Sequence, residues 1–230
     1  METSQRVVQR SVLFSRLLLV MVILSVMFLG YSLVRENLPA RLTSTWPWKL
    51  RLLDIQSAVA AVLASGGAAL ARAQYARTVR PVLGHFGRVN ADMAPGGQLA
   101  WVCHLFNGGQ EVAVVTDLSY WIVYTPEAHA RGVRDSSRWV LQQSAVAEIE
   151  TCSLSHKRDF SMNLVGPGRP IPGQQLVFLG WFTEKAMREL ENVFVRVHAA
   201  DRVGDTHERV IDLMKGVQRV PVHPDPPAPY

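Results

Sequence analysis

The chain has 230 residues, 48% hydrophobic and 19% charged, with a mean hydropathy of +0.09. That length holds one globular domain and an added segment, and the apolar content excludes disorder over most of the chain. Two cysteines exclude a disulfide scaffold. The net charge of +5 and pI near 9.6 invite a nucleic-acid reading, but the charge is unevenly placed. Seven basic and three acidic residues precede Arg72, whereas seventeen basic and sixteen acidic residues lie from Arg72 onward. A nucleic-acid surface carries its charge on the binding domain itself, so nucleic acid is not an expected partner.

Leu17 to Val34 is an uncharged run of 18 residues, about 27 Å of helix against a hydrocarbon core of about 30 Å. Arg16 and Arg35 bracket it, and Tyr31 lies where an amphipathic ring suits the headgroup region. A buried core helix is seldom apolar all round. A cleavable signal peptide has a shorter apolar run and a small-x-small site, which does not follow here. Ile55 to Ala71 is a second uncharged run, 17 residues long. It is rich in alanine, and Ala61, Ser65 and Ala69 recur at the four-residue spacing that lets helix backbones approach in lipid. Trp46 and Trp48, with Pro47, Lys49 and Arg51, read as an interfacial turn between the two. The alternative for the second run is a helix lying on the membrane surface or on the globular domain.

The hairpin reading places a cytoplasmic tail at 1–16, transmembrane helices at 17–34 and 55–71, and a connecting loop at 35–54. Seven basic residues flank the outer ends of this hairpin and four lie in its loop, which puts both ends in the cytoplasm. If the second run does not span, the same rule sends the large domain outside.

Beyond Arg80 the periodicity changes from helical to alternating. Residues 72–90 read as a linker and first strand. Gln98 to Phe106 alternates and is broken at Asn107-Gly108-Gly109. Glu111 to Tyr124 has apolar residues at period two, with a bend or bulge near Asp117. Gln175 to Thr183 and Val193 to Ala199 are further strands, and Gly204-Asp205 turns the latter back into Glu208–Met214 as a hairpin. Thr183 to Leu190 begins as a helix capped by Thr183. Ser144 to Ile149 fits helix or strand, Gly166 to Gly173 is a loop, and residues 220–230 form a proline-rich disordered tail. The expected fold is mainly β: a membrane-anchored helical hairpin followed at 91–219 by an antiparallel, immunoglobulin-like β-sandwich of about seven strands.

A membrane hairpin followed by basic residues, an Arg-Pro-x-Leu entry (Arg80, Pro81, Leu83) and a strand ending in Asn107-Gly108 resembles a broad group of bacterial membrane-anchored β-sandwich proteins. The resemblance covers roughly residues 15–125. The group's Asn-x-Gly-x-Gly-Pro-Ala turn is matched in part by FNGGQEVA, which lacks the proline. The resemblance implies an architecture and no catalytic residues. A looser likeness is to two-helix membrane effectors of bacterial anti-phage signalling, which join a hairpin to a β-rich nucleotide-sensing domain.

Motifs for chemistry are sparse. Neither GxxxxGK[ST] nor GxGxxG occurs, and the seven histidines lack HxH, HExxH or CxxC spacing, so no cofactor or metal is expected. Adjacent Cys103 and His104 should face opposite sides of a strand. Cys152 with His156, or Ser153 or Ser155 with Asp159, can be drawn as a nucleophile and its partner, but none carries a family signature and polar residues of surface loops are the favoured reading. Asp117 inside an apolar strand requires a partner, water or a bulge, and Arg196 or Arg138 is the expected partner. Cys103 and Cys152 would bond if exported and stay reduced if cytoplasmic. Trp101, Trp121, Trp139 and Trp181 are expected as core or rim aromatics.

These readings describe a bacterial, multi-pass protein of the inner (cytoplasmic) membrane with a cytoplasmic β-domain. Its partners are the lipid bilayer and either another protein or a second copy through the helices. The expected role is non-enzymatic binding or sensing. The alternatives are a membrane-disrupting effector whose helices oligomerise on ligand binding, and an anchored hydrolase using Asp117 or His156.

Overall fold

A computed structural model describes residues 2–45, 47–50 and 52–226. The chain forms two compact units, one of residues 11–78 and one of residues 1–10 with 79 onward. The first strand, β1 (Arg6–Gln9), belongs to the second of these, although it precedes the helices.

The helical unit contains α1 (Val12–Glu36), α2 (Ala40–Thr43) and α3 (Ile55–Thr78). Both long helices outrun their uncharged cores, α1 by five residues at its start and two at its end, α3 by seven at its end. Each is long and apolar enough to cross a membrane. They run antiparallel. At one end Ser32 Oγ donates to Leu53 O at 2.9 Å, and at the other the Arg72 guanidinium lies 5.4 Å from the Phe14 ring.

The α3 residues most shielded from solvent include Ile55, Ala58, Val62, Ser65, Ala69, Arg72 and Ala76. Their alternating spacing of three and four is that of a left-handed helix–helix seam. Of the expected packing residues, Ser65 is buried and Ala61 and Ala69 are half-buried, while Ala58 is fully buried. Away from the seam the helices expose Leu13, Met27, Leu63 and Leu70, each at least 62% accessible. Polar groups on the helices are satisfied locally: Ser25 Oγ donates to Met21 O and Ser65 Oγ to Val62 O.

The other unit continues with β2 (Leu83–Asn90), β3 (Ala100–Asn107), β4 (Ala113–Tyr124), α4 (Pro126–Ala130) and α5 (Gln142–Glu150). Then follow β5 (Phe160–Met162), β6 (Pro170–Ile171), β7 (Gln175–Thr183), α6 (Glu184–Glu189), β8 (Leu190–Ala200) and β9 (Thr206–Asp212). Two antiparallel sheets result, ordered β1-β9-β8-β4-β6 and β2-β3-β7-β5. Alternate residues of both, including Leu105, Cys103 and Phe182 from one and Tyr120, Val195 and Ile211 from the other, join one apolar core. Burying such side chains contributes about 1.5–3 kcal/mol each.

Several expectations are corrected. Among the described residues seven strands, β3 to β9, lie within 91–219 as expected, and β1 and β2 add two that precede that range. The stretch 1–16 is not simply a tail, because Arg6 and Val7 pair with Glu208 and His207. The first strand expected within 72–90 is β2, which pairs with β3 along its whole length. Gly166–Gly173 contains the short β6, which pairs Pro170 and Ile171 with Val114 and Ala113. The segment expected to be disordered from residue 220 is held at Asp225, whose N–H donates to Val89 O while its Oδ2 accepts from Val89 N. Thr183 precedes α6, but its hydroxyl donates to Asp159 O instead of capping the helix.

Candidate binding site

The site begins with an irregularity in β4. Val115 stands opposite Ala199 and Asp117 opposite His198, so Thr116 is an extra residue and the strand bulges. The same register continues across the sheet, placing His198 opposite Glu208 and Glu208 opposite Arg6. Four polar side chains on four neighbouring strands thereby form a ladder. His198 Nδ1 is 3.5 Å from Asp117 Oδ2, and His198 Nε2 is 2.7 Å from Glu208 Oε2. Arg6 donates from Nε to Glu208 Oε1 at 2.8 Å. Burial of Glu208 opposes its charge, yet the bonds from His198 and Arg6 outweigh it and hold its carboxyl below the usual range. Asp117 is 44% exposed, and among the described residues its side chain has only the long His198 contact.

The free edge of β4 is covered at two places. Val140 exchanges backbone hydrogen bonds with Tyr120, and Val115 bonds to Gly168 and Arg169. Between these covers, Asp117 and Leu118 face a groove of about 320 Å³. Its walls are the start of α5 (Leu141, Gln142) and the chain from Leu164 to Pro167. Gln142 Nε2 donates to Met162 O and fixes one wall to β5. Leu141 and Leu164 both line this groove and are exposed at 65% and 68%.

The arginines expected beside Asp117 are not its partners. Arg196 donates to Ser119 Oγ at 3.2 Å and lies 4.8 Å from the Trp139 ring, because the bulge turns Asp117 toward His198. Trp139 packs edge-on against Trp121, while Trp101 and Trp181 are buried. Cys103 and His104 point to opposite faces: Cys103 is in the core and donates to Leu213 O, and His104 sits between Phe86 and Phe178. Both cysteines are free thiols, and burial pushes the Cys103 thiol well above its ordinary pKa.

The loop pairs do not assemble into nucleophilic sites. Asp159 accepts from Ser155 N and Lys185 Nζ, and the His156 ring packs on Phe160. Among the described residues no group of three or more His, Cys, Asp and Glu is placed to hold a metal ion. Tyr31 and Trp48 stack at 5.3 Å, with the Tyr31 hydroxyl donating to Pro47 O and Leu50 O; Trp46 lies outside the described residues.

Sequence reading missed His198, Glu208 and Arg6 as neighbours of Asp117. The hairpin turn at Gly204 contained part of that answer, since drawing it in register pairs His198 with Glu208. Nothing in the sequence announces Arg6. Asn107, read as a turn residue, is fully buried: its Nδ2 donates to Glu111 O and Ile171 O, and its Oδ1 accepts from Val82 N and Gly109 N. Its role is to knot the turn. Compared with protein-family models, curated proteins and solved structures, the chain matches none.

Proposed function

We propose that the protein is a non-enzymatic, membrane-tethered binding and sensing module of bacterial type, with its helical hairpin in the inner membrane and an immunoglobulin-like β-domain in the cytoplasm. The observation that carries this reading is the pairing of β1, which precedes α1, with β9, which follows α3. Chain segments on either side of the hairpin belong to one folded unit, so the chain crosses the bilayer twice or not at all. The apolar helix surfaces favour two crossings. Seven basic residues at the outer ends against four in the loop favour a cytoplasmic domain.

Binding and tether have a physical link. The Asp117 end of the ladder opens on the groove, and its Arg6 end lies on the strand that leads through Arg10 into α1. A ligand that engages Asp117 changes the contacts available to His198 and, through Glu208, the hold on β1.

Topology tests the reading. Single cysteines are placed at Ser4, Ser44 and Val222 in a chain lacking Cys103 and Cys152, and exposed to an impermeant thiol reagent. Ser44→Cys should label in intact protoplasts, and Ser4→Cys and Val222→Cys only after lysis. Labelling of Ser4→Cys and Val222→Cys from opposite sides would overturn it.

A further inference from the structure

We infer that the groove beside Asp117 takes an organic ammonium ion with an apolar body, a proposal that rests on the reading of this groove as the recognition site. The groove has two kinds of surface. Leu141, Leu164, Val165 and Pro167 offer apolar contact, and Leu141 and Leu164 are exposed. Covering them removes apolar surface from water, which favours a hydrocarbon or aromatic body. The volume of about 320 Å³ suits a compact ligand of roughly a dozen non-hydrogen atoms.

Asp117 supplies the sign of the charge. Glu208, the other carboxylate of the ladder, is matched by Arg6 at 2.6 Å, whereas among the described residues Asp117 has only His198 at 3.5 Å. That distance is at the limit of hydrogen bonding, so Asp117 keeps acceptor capacity directed to solvent. A carboxylate beside an apolar wall rewards a cationic donor, because charge-assisted hydrogen bonds are short and strong where water is partly excluded. It repels anions, and a neutral ligand gains only an ordinary hydrogen bond. Gln143 on the rim can contact a further polar group without changing the preference for positive charge.

The test uses the full chain in lipid nanodiscs, with protein-free discs subtracted, and two probes of matched shape: 1-naphthylmethylammonium and 1-naphthylmethanol. Calorimetry should show the ammonium binding at least tenfold more tightly than the alcohol. Asp117→Asn should weaken the ammonium at least tenfold and leave the alcohol unchanged, while Asp117→Glu should retain the preference. Leu164→Lys should suppress both probes. Equal binding of the two probes, suppressed by Leu164→Lys, would overturn the cation preference and leave the groove as the site. Binding of neither probe, or binding indifferent to Leu164→Lys and Asp117→Asn alike, would overturn the groove reading as well.

Discussion

His85 lies on β2 against the Trp101 ring, 6.4 Å between centroids, and its Nε2 is a buried atom with no hydrogen-bond partner among the described residues. Burial lowers its pKa from 6.5 to about 4. Below pH 6.5 the unfolded chain takes a proton at this position that the folded chain refuses until about pH 4. Its contribution to stability is therefore complete above pH 6.5 and falls by on the order of 3 kcal/mol as the pH drops to 4. His85→Gln should flatten that part of the pH–stability curve, as followed by urea unfolding at pH 7, 5.5 and 4.5. Tyr120 makes a second residue-scale prediction. Its side chain is fully buried and its hydroxyl has no hydrogen-bond partner among the described residues. Removing a buried, unsatisfied hydroxyl relieves a desolvation cost, so Tyr120→Phe should stabilise the protein by about 1 kcal/mol in the same assay.

At the scale of elements, β1 is the informative one. It is an edge strand of four residues, too short to hold by ladder bonds alone, and side chains reinforce it. Glu208 clasps Arg6, and Gln5 donates to Pro81 O at 2.6 Å and accepts from Leu83 N at 2.9 Å. Gln5 thus ties together the chain entering and leaving the hairpin. Glu208→Gln should speed amide hydrogen exchange in β1 roughly tenfold while leaving β7 protected. Because the Glu208 carboxyl is held below its usual range, the clasp is present at neutral pH and is lost only as the pH falls through the lowered value.

The same scale explains which elements were legible. β3, β4, β7 and the β8–β9 hairpin could be read because each is long and alternating, with one face in the core. β1 could not, since Arg-Val-Val-Gln beside an apolar run looks like the basic lead of a membrane helix. β5 and β6 have three and two residues and exist only through their partners. In β2, Gly87 breaks the alternation for a tertiary reason: a Cβ there would collide with the Trp101 ring. Asp117 was legible as an anomaly, and its bulge with it. Its partner was not, because one extra residue in the strand decides which side chain of β8 it meets.

For the molecule as a whole, the chain passes between the two units twice, and Arg6, the last member of the ladder, lies on the strand that precedes the first passage. From Asp117 to Arg6 the ladder is an unbroken series of side-chain contacts across four strands.

The position of β1 also orders events during synthesis. Arg6 is made 202 residues before Glu208, and at about 5–20 residues per second the ribosome needs on the order of 10–40 s to span that gap. Through that interval sheet completion is impossible and β1 has no partner strand. Pairing of α1 with α3 shortens the wait in another sense: it closes the intervening loop early and leaves β1 tethered next to β2. The final strand then docks against a neighbour already held close, at a much smaller entropic cost than the sequence separation implies. The helical hairpin therefore serves the folding of the β-domain by shortening that search.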